Sequence, residues 1–259
     1  MKERQERIHQ TLNQLLILAP SGLMDLPTIL ADHFPHRRYA ETTITDYVHQ
    51  LLTISCTWPT LQYKLFELII SKSLEIDVEI LVEDSGDVRI VEDDTEKDLM
   101  FQLEDTKDVS DTANKLDAIL HVFREHITLQ LTKAKEQQDK LYHNLLLVFE
   151  NRILLTHKSK YTQFVLFYTA LKSPTFASLF AFRLLEVFLN IKNHMVVRQS
   201  AVLYLSSLLA RGRFLSNKDI RYALIINTPC NNCDVVKYCS IYCSGAPTIF
   251  SSLASSHPI

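Results

Sequence analysis

The fold is decided by one stretch of the chain, SPTFASLFAFRLLEVFLNIKNHMVVRQSAVLYLSSLLARGRF, which covers residues 173–214. The first half predicts a helix, because apolar residues recur every three or four positions and keep one face apolar over about four turns. These residues are Phe176, Phe180, Leu184, Phe188 and Ile191. Ser173 is placed to cap this helix, and Pro174 takes the first helical position, where its missing amide proton costs no hydrogen bond.

The second half predicts a second helix after a polar turn at residues 190–194. Arg198 opens this helix beside the turn, and the buried stripe is Val197, Ala201, Leu205 and Leu208. The small side chain of Ala201 lets the partner helix approach, and the leucines fill the seam. Such a hairpin cannot bury both faces alone, so it predicts neighbouring hairpins stacked on either side. The pattern V-R-x-x-A-x-x-x-L-x-x-L resembles the second helix of a HEAT-type repeat.

Composition narrows the class of protein. The chain has 259 residues, 47% of them hydrophobic, which is enough for one large domain or several stacked helical pairs. A phosphate-binding loop needs closely spaced glycines, and with only four glycines in the chain a nucleotide-binding enzyme is disfavoured. The charged start, MKERQERIHQ, predicts no secretory signal, and no run of eighteen apolar residues predicts a membrane span. A single cysteine before residue 230, Cys56, fits a reducing compartment.

Charge is concentrated in one segment. Residues 83–111 hold twelve acidic and three basic residues, a balance of −9, whereas the rest of the chain holds 18 acidic and 24 basic residues, a balance of +6. Acidic, weakly apolar sequence buries too little surface to offset its ordering entropy, so we expect a disordered loop that acts as a solvated spacer. The alternative is a docking segment around Leu99, Phe101 and Leu103. The weakly basic remainder does not predict strong duplex binding.

The whole chain therefore reads as an all-α, HEAT-like helical-repeat solenoid with a disordered acidic loop and an irregular C-terminal tail. We expect N-terminal helical hairpins over residues 1–82, the loop over 83–111, further HEAT-like hairpins over 112–216, and a divergent, poorly ordered tail over 217–259. The N-terminal helices are predicted at about residues 3–18, 27–34, 42–55 and 60–76.

The tail contains the one metal-like pattern, Cys230, Cys233, Cys239 and Cys243. It resembles the middle of a MYND-type zinc finger, and four thiolates are sufficient ligands for one zinc ion. That family interleaves two metals and needs further ligand pairs that this chain does not supply. We therefore favour thiols of an unfolded tail, with no metal site and no cofactor.

No catalytic machinery is predicted. His33 and His36, like His121 and His126, do not pair with carboxylates at the spacing of helical metal ligands. Cys56 has no histidine nearby in sequence, which favours a packed thiol over a nucleophile. The carboxylates of the acidic segment lack a rigid frame that would perturb their pKa values for acid–base catalysis.

Five arginines are candidates for binding a partner. Arg37 and Arg38 lie in a predicted turn, Arg198 opens the second helix of the hairpin, and Arg211 and Arg213 lie at that helix's C-terminal end. The simpler interpretation of these arginines is solvation and a favourable interaction with the helix dipole. The functional interpretation is contact with an acidic partner surface.

Three blocks of sequence resemble the RNA polymerase I-specific transcription initiation factor family, of TIF-IA type. The first block spans residues 25–80, the second is an acidic insert at the matching place, and the third is VRQSAVLYLSSLLARGRF at residues 197–214. Within the first block the resemblance rests on Phe34-Pro35, Tyr47-Val48-His49, Pro59-Thr60-Leu61, the Glu67 to Ile70 helix, Leu74 and Asp77-Val78.

This resemblance covers roughly residues 8–215. It implies a non-catalytic HEAT-repeat solenoid that binds RNA polymerase I and bridges it to the promoter-bound initiation factor complex at ribosomal RNA genes, in the nucleus and nucleolus. It implies regulation by serine phosphorylation, without assigning a serine, and it favours partner contacts for Arg198, Arg211 and Arg213. It implies no sequence-specific nucleic-acid binding and no membrane. Two alternatives remain open: a zinc-binding adaptor that uses the C-terminal cysteines, and a truncated nonfunctional fragment.

Overall fold

Helices make up almost all of the chain that a computed structural model describes, residues 2–84, 96–156 and 159–211. The nine α-helices of these ranges are α1 Lys2–Leu18, α2 Gly22–Asp32, α3 Glu41–Thr57, α4 Gln62–Asp84, α5 Glu96–Gln130, α6 Lys135–Val148, α7 Phe164–Leu171, α8 Pro174–Leu189 and α9 Met195–Arg211. A 3₁₀ turn at Pro59–Leu61 precedes α4, and a π-helical turn at Phe149–Ile153 follows α6. The described helices include none that is long and apolar enough to cross a membrane.

The chain divides into two compact units, Met1–Val165 and Leu166–Ile259. In the first unit, α3, α4 and α5 pack against one another, and α6 packs on α4. The predicted inward stripe of α3 is confirmed, because Ile44, Val48, Leu51, Leu52 and Ser55 are all buried. The centre of this core is aromatic: the rings of Phe66 and Phe123 meet edge to face at 5.1 Å, a favourable aromatic geometry.

A row of polar side chains joins α4 to α6 and the π-helical turn. Asn144 Nδ2 donates to Gln62 Oε1 at 2.8 Å, and Asn151 Nδ2 donates to the Tyr63 hydroxyl at 3.0 Å. One turn further along α4, the Arg152 guanidinium pairs with Glu67 at 3.0 Å. Burial raises the pKa of Glu67, but hydrogen bonds from Lys64 and Arg152 outweigh it, so the net pKa is lowered.

A buried carboxylate of α4 fixes the segment that leads into α7. Asp77 is fully buried and accepts hydrogen bonds from the Ser159 hydroxyl at 2.9 Å and from the backbone amides of Lys160, Tyr161 and Thr162 at 2.8 to 3.2 Å. A buried carboxylate is tolerated because these donors replace the water that it loses.

The second unit contains the hairpin predicted from residues 173–214. Helices α8 and α9 pack along each other, and Phe180, Leu184, Ala201, Leu205 and Leu208 are buried in or beside the seam. The Phe167 ring of α7 meets the Phe180 ring edge to face at 5.5 Å. The prediction of a tightly packed helical hairpin is therefore confirmed.

Some details of that prediction are wrong. Phe188 and Val197, which were predicted to be buried, are only half-buried at the turn end of the two helices. Ile191 does not extend the buried face of α8: the helix ends at Leu189, Asn190 takes an extended conformation, and Ile191 is 84% exposed. Ser173 makes no side-chain capping hydrogen bond. The backbone of Ser173 takes part instead, because its carbonyl accepts the first hydrogen bond of α8, from the Ala177 amide at 3.1 Å.

The boundaries around the acidic segment also differ from prediction. Helix α4 runs to Asp84 instead of ending near residue 76, and α5 begins at Glu96, so residues 96–111 are helical where we expected loop. These residues contain no glycine or proline and lead directly into the packed part of α5. Extending an existing helix costs far less free energy than nucleating one, which explains the longer helix. Residues 85–95 of the predicted loop lie outside the described residues.

The start of α2 is a further correction. The helix begins at Gly22, so Pro27 lies inside it instead of opening it. The preceding turn makes this possible, because the amides of Gly22, Leu23 and Met24 bond to the carbonyls of Ala19, Pro20 and Ser21 and begin the helical winding early.

Candidate partner-binding surfaces

The first candidate surface is the turn between α2 and α3, residues 33–40. Its inner side is fixed by aromatic packing, with the Phe34 ring edge to face against the Tyr47 ring at 5.4 Å. The Tyr47 hydroxyl donates to the Leu30 carbonyl at 2.7 Å and ties the end of α2 to α3. Burial raises the pKa of this Tyr47 hydroxyl, which keeps it a neutral donor at physiological pH.

The two arginines of this turn have different surroundings. Arg37 forms an ion pair with Glu79 of α4, and its carbonyl accepts a hydrogen bond from the Lys115 ammonium of α5 at 3.0 Å. Lys115 is itself buried and pairs with Asp111 at 2.5 Å. Arg38 is exposed, and its guanidinium makes no ion pair with any described residue. Arg37 therefore anchors the turn, while Arg38 presents a cation to solvent.

A cleft lies beside this turn. Its floor is apolar and includes Phe34, Pro35, Ile44 and Ile76, and its rim carries two ion pairs. These pairs are Arg37 with Glu79 and Lys72 with Glu75. Because the rim charges already neutralise one another, the cleft suits an apolar side chain of a partner better than an isolated charge.

Arg198 occupies a structural position in the second unit. Its Nε donates to the Phe188 carbonyl at 2.7 Å, and its guanidinium lies 5.6 Å from the centre of the Phe188 ring. The Phe188 carbonyl is one of the last four of α8, which have no partner within the helix. Arg198 therefore caps the C-terminal end of α8 across the hairpin turn.

The remaining predicted sites are described only in part. Arg211 is the last residue of α9, and its side chain lies outside the described residues. Arg213 and the four C-terminal cysteines, Cys230, Cys233, Cys239 and Cys243, lie wholly outside them. Within the described residues, no group of three His, Cys, Asp or Glu side chains could hold a metal ion.

The prediction of a packed Cys56 thiol is wrong. Cys56 is exposed near the end of α3, and its sulfur accepts a hydrogen bond from the Gln130 amide of α5 at 2.7 Å. It lines a polar cleft together with Lys133, Lys140 and His143. The sequence pattern could not indicate this, because the exposed side of Cys56 is set by where α5 and α6 meet α3.

His126 packs against the aromatic core, which the sequence pattern did not indicate. Its ring lies 5.9 Å from the Phe66 ring, edge to face, next to the aromatic core of the first unit. Burial, with smaller contributions from the positive charges of Lys133 and His49, lowers the pKa of His126 to about 4. The imidazole is thus a neutral structural group at physiological pH.

The arrangement of helices in this chain is similar to that of a protein of known structure. The solved crystal structure titled "RNA Polymerase I Transcription Initiation Factor Rrn3" matches with a TM-score of 0.70 and 22% identity, over 85% of this chain and 43% of that chain. At this level of identity the match establishes the fold, and it confirms the predicted helical-repeat class.

Three curated relatives are all RNA polymerase I-specific transcription initiation factors. The Mus musculus protein is 30% identical over 241 residues, which cover 80% of this chain and 35% of that protein. The Schizosaccharomyces pombe protein is 25% identical over 252 residues, covering 86% and 42% respectively. The Saccharomyces cerevisiae protein is 21% identical over 270 residues, covering 82% and 43%. The chain therefore spans less than half the length of each of these relatives.

A family model described as "RNA polymerase I specific transcription initiation factor RRN3" matches residues 1–236. The match extends past residue 215, where the resemblance in the sequence blocks ends, and includes the first part of the segment 217–259 that we expected to be divergent. Because it covers most of the chain, the chain belongs to the RRN3 family of RNA polymerase I specific transcription initiation factors.

Proposed function

We propose that this chain is a non-catalytic helical-repeat scaffold that binds RNA polymerase I and bridges it to promoter-bound factors at ribosomal RNA genes, in the nucleus and nucleolus. The observation that carries the proposal is the family match over residues 1–236. The helical architecture supports it, since stacked hairpins give an extended surface that suits protein recognition.

Among the candidate arginines, Arg38 is the contact that the first unit supports best. It projects from a turn that α3, α4 and α5 hold in place through Tyr47, Glu79 and Lys115. A cation on a fixed turn binds an acidic surface with a smaller entropy cost than a cation on an unanchored loop. Arg211 and Arg213 remain proposed contacts, while the proposed role of Arg198 is to keep the hairpin turn in shape.

Co-precipitation tests the proposal. Purified chain carrying an affinity tag is incubated with purified RNA polymerase I, and the polymerase subunits retained on the resin are quantified. We expect the chain to retain polymerase and Arg38→Glu to retain several-fold less, because the substitution places like charges across the interface. Lys135→Glu is the matched control, since it reverses an exposed charge at the start of α6 in the same unit. Failure of the unmodified chain to retain polymerase would refute the proposal.

A second experiment tests whether the chain bridges polymerase to promoter-bound factors. Promoter-bound initiation factors are immobilised on ribosomal promoter DNA, and polymerase capture is measured with and without the chain. We expect capture to increase when the chain is present. Capture that does not change, with polymerase binding intact, would restrict the function to polymerase binding.

A further inference from the structure

The turn between α8 and α9 carries an exposed apolar patch. Phe182 and Leu189 lie seven residues apart on α8, Ile191 lies in the turn, and Met195 and Val196 open α9. Their exposed fractions are 55%, 39%, 84%, 66% and 57%. We call these five residues the hairpin patch. Four of them, Leu189, Ile191, Met195 and Val196, lie within eight residues of sequence around the turn, and exposed apolar side chains grouped in this way are typical of protein contact sites.

Stacking of a neighbouring hairpin does not account for the exposure of the turn. In a helical-repeat fold, adjacent repeats cover the flanks of the helices, whereas the turns project from the edge. Leu179 and Leu203 lie further along the two helices and are exposed in the way that a stacking flank would be. Ile191 belongs to neither flank, so its exposure calls for a partner at the edge.

The surroundings of the patch are basic. The part of the second unit that the structure describes, residues 166–211, contains five lysines and arginines and a single acidic residue, Glu186. Lys192 lies inside the turn next to Ile191 and makes no ion pair with any described residue. The first turn of α9 holds no acidic side chain, so the positive end of that helix dipole is not offset locally. This electrostatic field favours an acidic partner.

The same residues argue for a protein partner instead of a nucleic acid. Phosphate binding needs several cations that are free to contact it. Here Arg183 pairs with Glu186 at 2.7 Å, Lys172 lies 4.8 Å over the Tyr168 ring, and Arg198 caps the end of α8. The patch is apolar and includes a phenylalanine and a methionine, a composition typical of protein-binding surfaces.

We propose that the hairpin patch docks an acidic segment of RNA polymerase I that carries apolar side chains. In this arrangement the apolar side chains of the partner cover Ile191 and Met195, and its carboxylates lie next to Lys192 and the start of α9. The inference rests on the proposed function, and it adds the surface and the chemistry of the segment that this surface recognises.

Equilibrium binding of the full 259-residue chain to purified RNA polymerase I tests this inference. The variants are Ile191→Ser/Met195→Ser and Lys192→Glu. Their matched controls are Leu171→Ser/Leu203→Ser, which removes exposed apolar side chains outside the patch, and Lys172→Glu, which reverses a charge elsewhere in the same unit. Circular dichroism and thermal unfolding establish that each variant is folded before binding is compared.

We expect Ile191→Ser/Met195→Ser to raise the Kd at least about tenfold, as loss of an interface centre does. Lys192→Glu should raise it about fivefold at low salt, with the difference shrinking as salt screens the charges. The Kd of both control variants should stay within about twofold of that of the unmodified chain, because neither control removes a residue that is central to the interface.

Other outcomes overturn the inference in distinguishable ways. If the unmodified chain binds polymerase and both patch variants bind equally well, the patch is not the docking surface, and the proposed function stands. If Lys192→Glu and Lys172→Glu weaken binding equally, the attraction is diffuse and the patch is not specific. If the chain binds duplex DNA more tightly than it binds polymerase, or if it self-associates through Ile191, then the hairpin patch binds DNA or a second copy of this chain, and not a segment of polymerase. If the chain does not bind polymerase at all, this inference and the proposed function both fail.

Discussion

The two compact units are stabilised by different chemistry. In the first unit, charged groups are buried. Asp77 accepts hydrogen bonds from four donor groups in the segment before α7, and Lys115 donates to a backbone carbonyl of the α2–α3 turn. In the described part of the second unit, the buried groups are apolar or uncharged, and the seam of the hairpin is closed by Ala201 and leucines. The difference teaches that one helical-repeat class can be built around buried charged groups in one part and around an apolar helix seam in another.

The largest effect is expected from removing the strongest polar anchor. Asp77→Ala leaves the buried amide of Thr162 and the partly buried amides of Lys160 and Tyr161 without their acceptor, so we expect a loss of about 3–5 kcal/mol in the free energy of unfolding of the first unit. Denaturant titration followed by circular dichroism measures it. Asp46→Ala, at an exposed position of α3, is the control and should change stability by less than about 0.5 kcal/mol. A small effect of Asp77→Ala would remove the contrast between the units.

The next largest effect is the change in the free energy of unfolding when His126 is protonated. Its folded pKa of about 4 lies below the unfolded value of about 6.5, so between these two pH values the unfolded chain binds the proton and the folded chain does not. The stability that the neutral His126 contributes is complete above pH 6.5 and is lost as pH falls towards 4, by about 2–3 kcal/mol.

Comparison of two glutamine variants isolates this effect. His126→Gln should flatten the pH dependence of unfolding between pH 6.5 and 4.5, whereas Leu129→Gln, at an exposed position of the same helix, should leave it as in the unmodified chain. Parallel pH profiles for both variants would show that the His126 ring is accessible to water.

For the second unit, the contrast predicts sensitivity to volume. Ala201 is fully buried where α9 meets α8, so Ala201→Leu should overpack the seam and lower the free energy of unfolding by about 1–3 kcal/mol. Thermal unfolding measures the loss. Gln199→Leu adds an apolar side chain at an exposed position two residues away and should leave the transition almost unchanged. A chain that tolerates Leu at 201 would contradict the packing of this hairpin.

The smallest expected effect concerns the hydrogen bond by which Arg198 caps the end of α8. Arg198→Ala removes the hydrogen bond to the Phe188 carbonyl at a partly exposed helix end, so we expect a loss of about 1 kcal/mol. Arg198→Lys should recover only part of it, because an ammonium does not reproduce the planar guanidinium that lies over the Phe188 ring. If Arg198→Ala leaves the stability unchanged but weakens polymerase binding, Arg198 contacts the partner and does not stabilise the hairpin.

These cases also show how far sequence reasoning reaches. The buried stripe of α3 and, in α9, the buried positions of Ala201, Leu205 and Leu208 follow from helical periodicity, which is a local property, and these were predictable. The role of Asp77 depends on residues 82 to 85 positions away, and the environment of Cys56 depends on Gln130, 74 positions away. No local pattern encodes such partners, and for the same reason Arg37 and Arg38 look equivalent in sequence although only Arg38 is free of ion pairs with described residues.

Ile191 illustrates a second limit. Its spacing continues the apolar stripe of α8, and only the extended backbone of Asn190 moves it out of the helix. An apolar residue two positions past a helix end fits a buried stripe and an exposed patch equally well in sequence. The structure therefore turned a core prediction into a candidate for partner contact.

Sedimentation of the fluorescently labelled chain with and without RNA polymerase I tests the central claim most directly. The free chain of 29.9 kDa should sediment slowly, and added polymerase should shift the label to the much faster boundary of the enzyme in a saturable way. The shift should be weakened by Arg38→Glu and unaffected by Lys135→Glu. A label that stays in the slow boundary at every polymerase concentration would contradict the account.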